Sequence, residues 1–134
     1  MDGFINVLKP TGMSSHDVVD VVRRIFHQKR VGHAGTLDPA AAGILPIALG
    51  RAARLVEYLE GADKSYRAEI PFGYATDTGD VYGTVTERAE HPVLPAEEEI
   101  EAVLARFRGC ITQRPPAYSA IKVGGKRAAD LVRQ

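Results

Sequence analysis

Gly32-His33-Ala34-Gly35-Thr36-Leu37-Asp38-Pro39, with Gly43-Ile44-Leu45-Pro46 close behind, sets a lone carboxylate in a stretch otherwise built of small and rigid residues. Glycine lets the backbone take positive φ or approach a ligand closely, while Pro39 lacks a donor, fixes its own φ and drives Asp38 toward extended geometry. Asp38 is therefore held on a stiff loop. Two uses fit a carboxylate placed there: capping a turn ahead of a proline, or presentation for chemistry. The octapeptide alone leaves both open.

Three further blocks stand in order around it. Ile5-Asn6-Val7-Leu8-Lys9-Pro10 runs into Gly12-Met13-Ser14-Ser15-His16-Asp17; Lys64-Ser65-Tyr66-Arg67-Ala68 precedes Phe72-Gly73 and Thr76-Asp77-Thr78-Gly79-Asp80; and Gln113-Arg114-Pro115-Pro116-Ala117-Tyr118-Ser119-Ala120-Ile121-Lys122 leads to Gly125-Lys126. Together with the Asp38 loop, these blocks resemble the TruB family of pseudouridine synthases, from Ile5 to Lys126.

Composition sets the outer bounds. A chain of 134 residues with 45% apolar side chains is one domain's worth of soluble globular sequence. It holds no apolar run of about eighteen residues and no basic segment leading into an apolar one, so neither a membrane span nor a secretory signal is expected, and a cytoplasmic location is the default. The single Cys110 allows neither an internal disulfide nor a Cys-rich zinc site, and reads as a small buried hydrophobe.

The net charge is zero, yet its distribution is uneven. Residues 1–56 hold seven Lys/Arg against four Asp/Glu, residues 57–105 three against twelve, and residues 106–134 seven against one. The two ends are basic, and phosphate binding depends on a local patch rather than on the total. Arg23, Arg24, Lys29 and Arg30, with Arg106, Arg108, Arg114, Lys122, Lys126 and Arg127, are candidates to face RNA, or else form an ordinary solvated surface.

Patterning places the motifs. Gly3 to Lys9 alternates as a strand ending at Pro10. Ser14 as N-cap with Asp17 in the position usually held by Glu predicts a helix whose stripe is Val18, Val21, Val22, Ile25 and Phe26. Gly43 to Leu49 suits a buried strand, although Pro46 predicts an edge position or a bulge. Arg51 to Leu59 reads as a helix with Ala52, Leu55, Val56 and Leu59 inward. Lys64 to Phe72 alternates most clearly, with Tyr66, Ala68, Ile70 and Phe72 on one face, and Asp77-Thr78-Gly79-Asp80 would turn it back into a strand over Val81 to Glu87. Pro95 to Phe107 is an amphipathic helix whose glutamates complement its N-terminal dipole. Cys110 to Thr112 and Tyr118 to Val123 read as short strands, and Lys126 begins a helix.

Helices and strands intermixed without regular βαβ alternation predict an α+β domain with a mixed sheet and flanking helices. The resemblance implies the pseudouridine-synthase fold, with a catalytic Asp on a loop at an RNA-binding cleft. It also implies that residues 1–134 are the N-terminal portion of that catalytic domain. The family's later Gly-Thr-Tyr-Ile-Arg type segment, whose arginine pairs with the catalytic acid, and its C-terminal PUA domain have no counterpart in this sequence. Ala129 and Val132 depart from the family pattern.

The implied reaction isomerises uridine-55 in the T arm of tRNA to pseudouridine. It involves no net redox change or hydrolysis, and needs neither metal nor organic cofactor. Asp38 takes the catalytic role. By resemblance, His33 fills the space left by an everted base and Tyr66 stacks on that base, while Lys64, Lys9, Tyr118 and Lys122 match further substrate-binding positions; Lys9 and Lys122 read more as cleft-shaping or phosphate contacts. Two alternatives from other classes stand beside it: a catalytically inert RNA-binding fragment, and a synthase acting on another RNA.

Overall fold

The alternation over Gly3–Lys9 forms strand β1, which turns Ile5, Val7 and Lys9 inward and Phe4, Asn6 and Leu8 outward. The computed structural model describes residues 1–59 and 61–113, together with the short strands at 122–123 and 126–127. It divides into two units, Met1–Tyr66 and Arg67–Gln134.

In the first unit, β1 pairs antiparallel with β3 (Gly43–Leu49), in register from Gly3 opposite Leu49 to Lys9 opposite Gly43. On the other side β3 takes β2 (Val31–His33), so β3 is central in a three-stranded sheet. Helix α1 (Ser15–Ile25) links β1 to β2. Its expected capping box is closed: the Ser14 hydroxyl accepts the Asp17 N–H at 3.1 Å, and the Asp17 carboxylate accepts the Ser14 N–H at 2.8 Å. Val18, Val19 and Val22 of α1 join Val31, Leu45, Ile47 and Leu49 in the core, with Ile5, Val7, Met13, Phe26 and Leu37 packed against it.

The buried stripe of α1 is shifted sideways from the predicted one. Ser15 and Val19 flank Val18 and Val22 inside, while Ile25 is exposed. Both flanks suit a helical period, and only the surface against which the helix lies decides between them.

Pro46 occupies neither an edge nor a bulge. The β1 register runs through it unbroken, opposite Asn6. In an antiparallel ladder one residue's N–H and C=O face the same neighbour. The Pro46 carbonyl accepts the Ala34 N–H at 2.9 Å, so its missing donor also faces Ala34, the residue at which β2 has ended. The proline costs the sheet little because it sits where one ladder stops.

Residues Gly50–Leu59 wind as a 3-10 helix. Ala52 is buried as predicted, but Leu55 and Leu59 are exposed. A turn of about 3.0 residues does not keep positions 52, 55, 56 and 59 on the single stripe that a 3.6-residue turn would.

From Lys64 onward several expectations are corrected. Lys64 to Phe72 carries no strand, and Ile70 and Phe72 are exposed. Alternation makes a strand only beside a partner ladder, and no described strand pairs with this segment. The hairpin forms further on, from β4 (Tyr74–Thr76) and β5 (Val85–Arg88). The Asp77–Thr84 loop is closed by the Asp77 N–H on the Thr84 carbonyl at 3.1 Å and the Thr84 N–H on the Asp77 carboxylate at 2.8 Å. Asp80 accepts the Tyr82 N–H at 2.9 Å, which commits Val81 to Thr84 to the turn and shortens the predicted strand.

Helix α2 (Glu97–Leu104) continues in a 3-10 turn over Ala105–Phe107, and the Glu99 carboxylate accepts the Ala96 N–H at 2.9 Å. Its apolar residues Val103, Leu104 and Phe107 are exposed within the described residues. Cys110 is exposed rather than buried, and Cys110 to Thr112 form no strand; the described residues next to them in the chain are exposed as well. Lys126–Arg127 is strand β7, paired antiparallel with β6 (Lys122–Val123), where a helix start was expected. The rest of the predicted Tyr118–Val123 strand, Tyr118 included, lies outside the described residues.

The α+β class stands. Every described strand pair is antiparallel, so the expected mixed sheet is represented here by four antiparallel ladders in three sheets.

Candidate active site

Strand β2 ends at His33, and the chain then leaves the sheet for a loop that returns at Gly43. Gly35 turns the loop at φ +87°, a conformation that favours glycine. A Cβ there would lie 4.0 Å from Lys64 Cε, so the Lys64 side chain passes over the turn. His33 Nδ1 is hydrogen-bonded to the Gly35 carbonyl. A carbonyl only accepts, so Nδ1 is the donor in this bond.

Asp38 stands between two anchored neighbours. On one side the Ser15 hydroxyl accepts the Leu37 N–H at 2.9 Å and donates to the Leu37 carbonyl at 3.1 Å. On the other, the Gly12 N–H donates to the Pro39 carbonyl at 2.7 Å. The Asp38 carbonyl itself accepts the Ala41 N–H at 3.0 Å, closing a turn after the acid. The side chain is exposed. Among the described residues, no hydrogen bond or ion pair engages its carboxylate.

Lys9 is 0% exposed, and its ammonium donates to the carbonyls of Pro10 at 2.9 Å and Met13 at 2.7 Å. Its charge is spent inside the turn that carries Gly12, which accords with shaping of the loop pair and not with a surface phosphate contact. Tyr66 is 70% exposed, so its ring is not part of a core, and its predicted place on a strand falls. Lys122 lies on β6.

Of the candidate phosphate contacts, Arg24, Lys29 and Arg30 are exposed. Arg23 is partly buried and engaged: its guanidinium reaches Asp20 at 2.9 Å and the Val31 carbonyl at 3.3 Å. Arg108 is paired with Glu101 at 2.7 Å.

The site thus gathers His33, Asp38 and Lys64 around one loop and ties Lys9 to it through Gly12. Sequence reading passed over Ser15. Its only local signal is a second serine directly after the N-cap, and the residue it binds is far away in the chain.

Comparison with known proteins bears on this loop directly. A family model described as "TruB family pseudouridylate synthase (N terminal domain)" matches residues 23–134, a span that includes Asp38. The chain belongs to the TruB family of pseudouridylate synthases. Among its relatives, tRNA pseudouridine synthase B of Symbiobacterium thermophilum is 54% identical over 134 residues, covering all of this chain and 44% of that protein. The namesake from Carboxydothermus hydrogenoformans is 57% identical over 135 residues, covering all of this chain and 46% of that protein. The chain therefore spans less than half the length of the relatives it matches.

Solved structures align as well. The chain matches one in a Cbf5-Nop10-Gar1 complex with a TM-score of 0.58 and 36% identity, over 90% of this chain and 31% of that one. It matches a second in an H/ACA RNP bound to a substrate RNA containing 2'-deoxyuridine, with a TM-score of 0.54 and 33% identity, over 84% of this chain and 29% of that one. The described residues are a partial pseudouridine-synthase fold.

Proposed function

We propose that residues 1–134 are the N-terminal portion of the catalytic domain of a tRNA pseudouridine synthase, which isomerises uridine-55 of the T arm with Asp38 as the catalytic carboxylate. The observation that carries this reading is the anchoring of Asp38: its two chain neighbours are fixed from outside the loop while its carboxylate is left exposed. A carboxylate needed only to cap a turn would be occupied by backbone donors; this one is held still and unspent.

The reaction breaks the bond from base N1 to ribose C1', turns the base and rejoins it to C1' through C5; the C5 hydrogen leaves as a proton and N1 takes one up, so the composition is unchanged. An ionised Asp38 serves this by attacking C1' or by taking a sugar proton to give a glycal-like intermediate. A uridine in a folded loop must first leave its stack, at a cost of a few kcal/mol. Tyr66 is exposed and free to stack on it, and His33, at the start of the loop that carries the acid, fills the gap. Lys64 lies over the turn of the same loop, Lys9 braces the turn that carries Gly12, and Tyr118 and Lys122 are assigned to substrate binding on the family resemblance alone. The T arm of tRNA is the partner, no cofactor takes part, and the setting is cytoplasmic.

A tRNA substrate is favoured over another RNA by identity: 54% and 57% to proteins named tRNA pseudouridine synthase B, against 36% and 33% to chains of the ribonucleoprotein assemblies. The test is Asp38→Asn in the full-length natural protein, assayed on a T-arm stem-loop. Pseudouridine formation should be lost and RNA binding kept; retained turnover would overturn the assignment, and activity confined to other RNAs would overturn the substrate.

A further inference from the structure

The Ser15 hydroxyl has no part in capping α1, because Ser14 alone accepts the Asp17 N–H. Ser15 is nonetheless 3% exposed, and a hydroxyl buried that deeply must find partners. It takes both from one residue, accepting the Leu37 N–H at 2.9 Å and donating to the Leu37 carbonyl at 3.1 Å. A single side chain from the first turn of α1 thus consumes both backbone polar groups of the residue directly before Asp38. Leu37 is held from its other end too, since its side chain packs against the core.

The consequence is directional. Rotation about the Leu37 backbone would swing the Asp38 carboxylate, and Ser15 removes that freedom, while the Gly12–Pro39 bond does the same from the far side. We infer that Ser15 is a positioning residue, whose hydroxyl fixes the direction in which Asp38 presents its carboxylate to the nucleoside. This rests on the reading of Asp38 as the catalytic acid, and it adds a residue that neither touches substrate nor carries charge.

The experiment compares Ser15→Ala, Ser15→Thr and Asp38→Asn in the full-length natural protein on a T-arm stem-loop, with amide hydrogen exchange at Leu37 read in parallel. Misplacing a reacting group by about 1 Å costs on the order of 100-fold in rate. Ser15→Ala should therefore lower kcat by about 10- to 100-fold with KM within about twofold, and Leu37 exchange should accelerate. Ser15→Thr, which keeps the hydroxyl, should restore both. If Ser15→Ala does not fold, Ser15→Cys replaces it, keeping the size and weakening both bonds. The inference fails alone if Asp38→Asn is inactive while Ser15→Ala keeps full kcat, if Leu37 exchange does not change, or if the threonine variant is as impaired as the alanine one. An active Asp38→Asn would overturn both readings, and would be recognised as such because Leu37 exchange would still report whether the clamp exists.

Discussion

The ammonium of Lys9 lies 2.7 Å from the carbonyl of Met13, inside the turn that delivers Gly12 to the Asp38 loop. A cation with no surface exposure cannot neutralise a phosphate, but it holds two carbonyls that would otherwise lack a donor. Lys9→Met keeps the aliphatic stem and removes both bonds. It should destabilise the protein by about 1–3 kcal/mol in chemical denaturation, the usual penalty for stranding such groups. The salt dependence of RNA binding should not change; a slope reduced by about 0.7–0.9 would mean that Lys9 does reach a phosphate.

Lys29 and Arg30 are exposed just before β2, and the opposite result is expected of them. Neutralising either to Gln should lower the slope of log affinity against log salt by about 0.7–0.9 for each phosphate that the cation neutralises, with little change in stability. Filter binding of a T-arm stem-loop across a salt series measures it, and unchanged slopes in both variants would move the RNA to another face.

Tyr66 offers a contrast between folding and function. Because its ring is exposed, Tyr66→Ala should shift unfolding by no more than about 0.5 kcal/mol. Losing a base-stacking platform worth about 1–3 kcal/mol should still reduce kcat/KM by roughly 5- to 150-fold, and Tyr66→Phe should recover most of it. A large stability loss without a kinetic one would make the tyrosine structural.

The Asp17 carboxyl is held below its ordinary value of 3.8, first by the Ser14 hydroxyl and then by the Ser14 N–H. A group whose pKa is depressed on folding adds stability above its unfolded value and loses it as pH falls through the folded one. Asp2, held down by Arg51, and Asp80, held down by Thr78, act in the same direction. Stability should therefore fall on acidification below about pH 4, and Ser14→Ala should make that acid limb shallower. Urea midpoints measured from about pH 2 to pH 7 decide it; identical acid limbs would mean that the box does not hold in solution.

Gly50 takes φ +59°, and a Cβ there would collide with the Asp2 carboxylate and meet the Met1 carbonyl at 2.6 Å. Asp2 accepts both the Arg51 N–H and the Arg51 guanidinium at 2.7 Å, so displacing it breaks the tie between the start of β1 and the 3-10 helix. Gly50→Ala should destabilise the first unit by about 1–3 kcal/mol from the left-handed backbone alone. Thermal melts of Gly50→Ala and of Asp2→Ala separate the backbone cost from that of breaking the Asp2–Arg51 tie.

What the sequence disclosed and what it withheld divide along a physical line. Strands Gly3–Lys9 and Gly43–Leu49 and the helix started by Ser14 could be read because each is written locally, as a two-residue period, an apolar run or a cap. Lys64 to Phe72 has the same period and forms no strand, since pairing depends on a neighbour that no local pattern names. The stripe of Pro95 to Phe107 likewise states that a face is apolar without stating what covers it. At the site, the stiffness of the Asp38 loop followed from Gly35 and Pro39. The means of that stiffness did not: Ser15 and Gly12 act across the fold on Leu37 and Pro39, and hydrogen bonds between distant segments leave no periodic trace.

Where Ala34 faces Pro46, a regular antiparallel rung would exchange two bonds, and only one exists. An imino acid at that level works as the stop at the end of a zipper. With a valine in its place the rung would close, β2 would grow toward Gly35, and the segment bearing the acid would be drawn flat against the sheet. One absent hydrogen thereby keeps the loop out of the β-structure and open to whatever approaches from solvent.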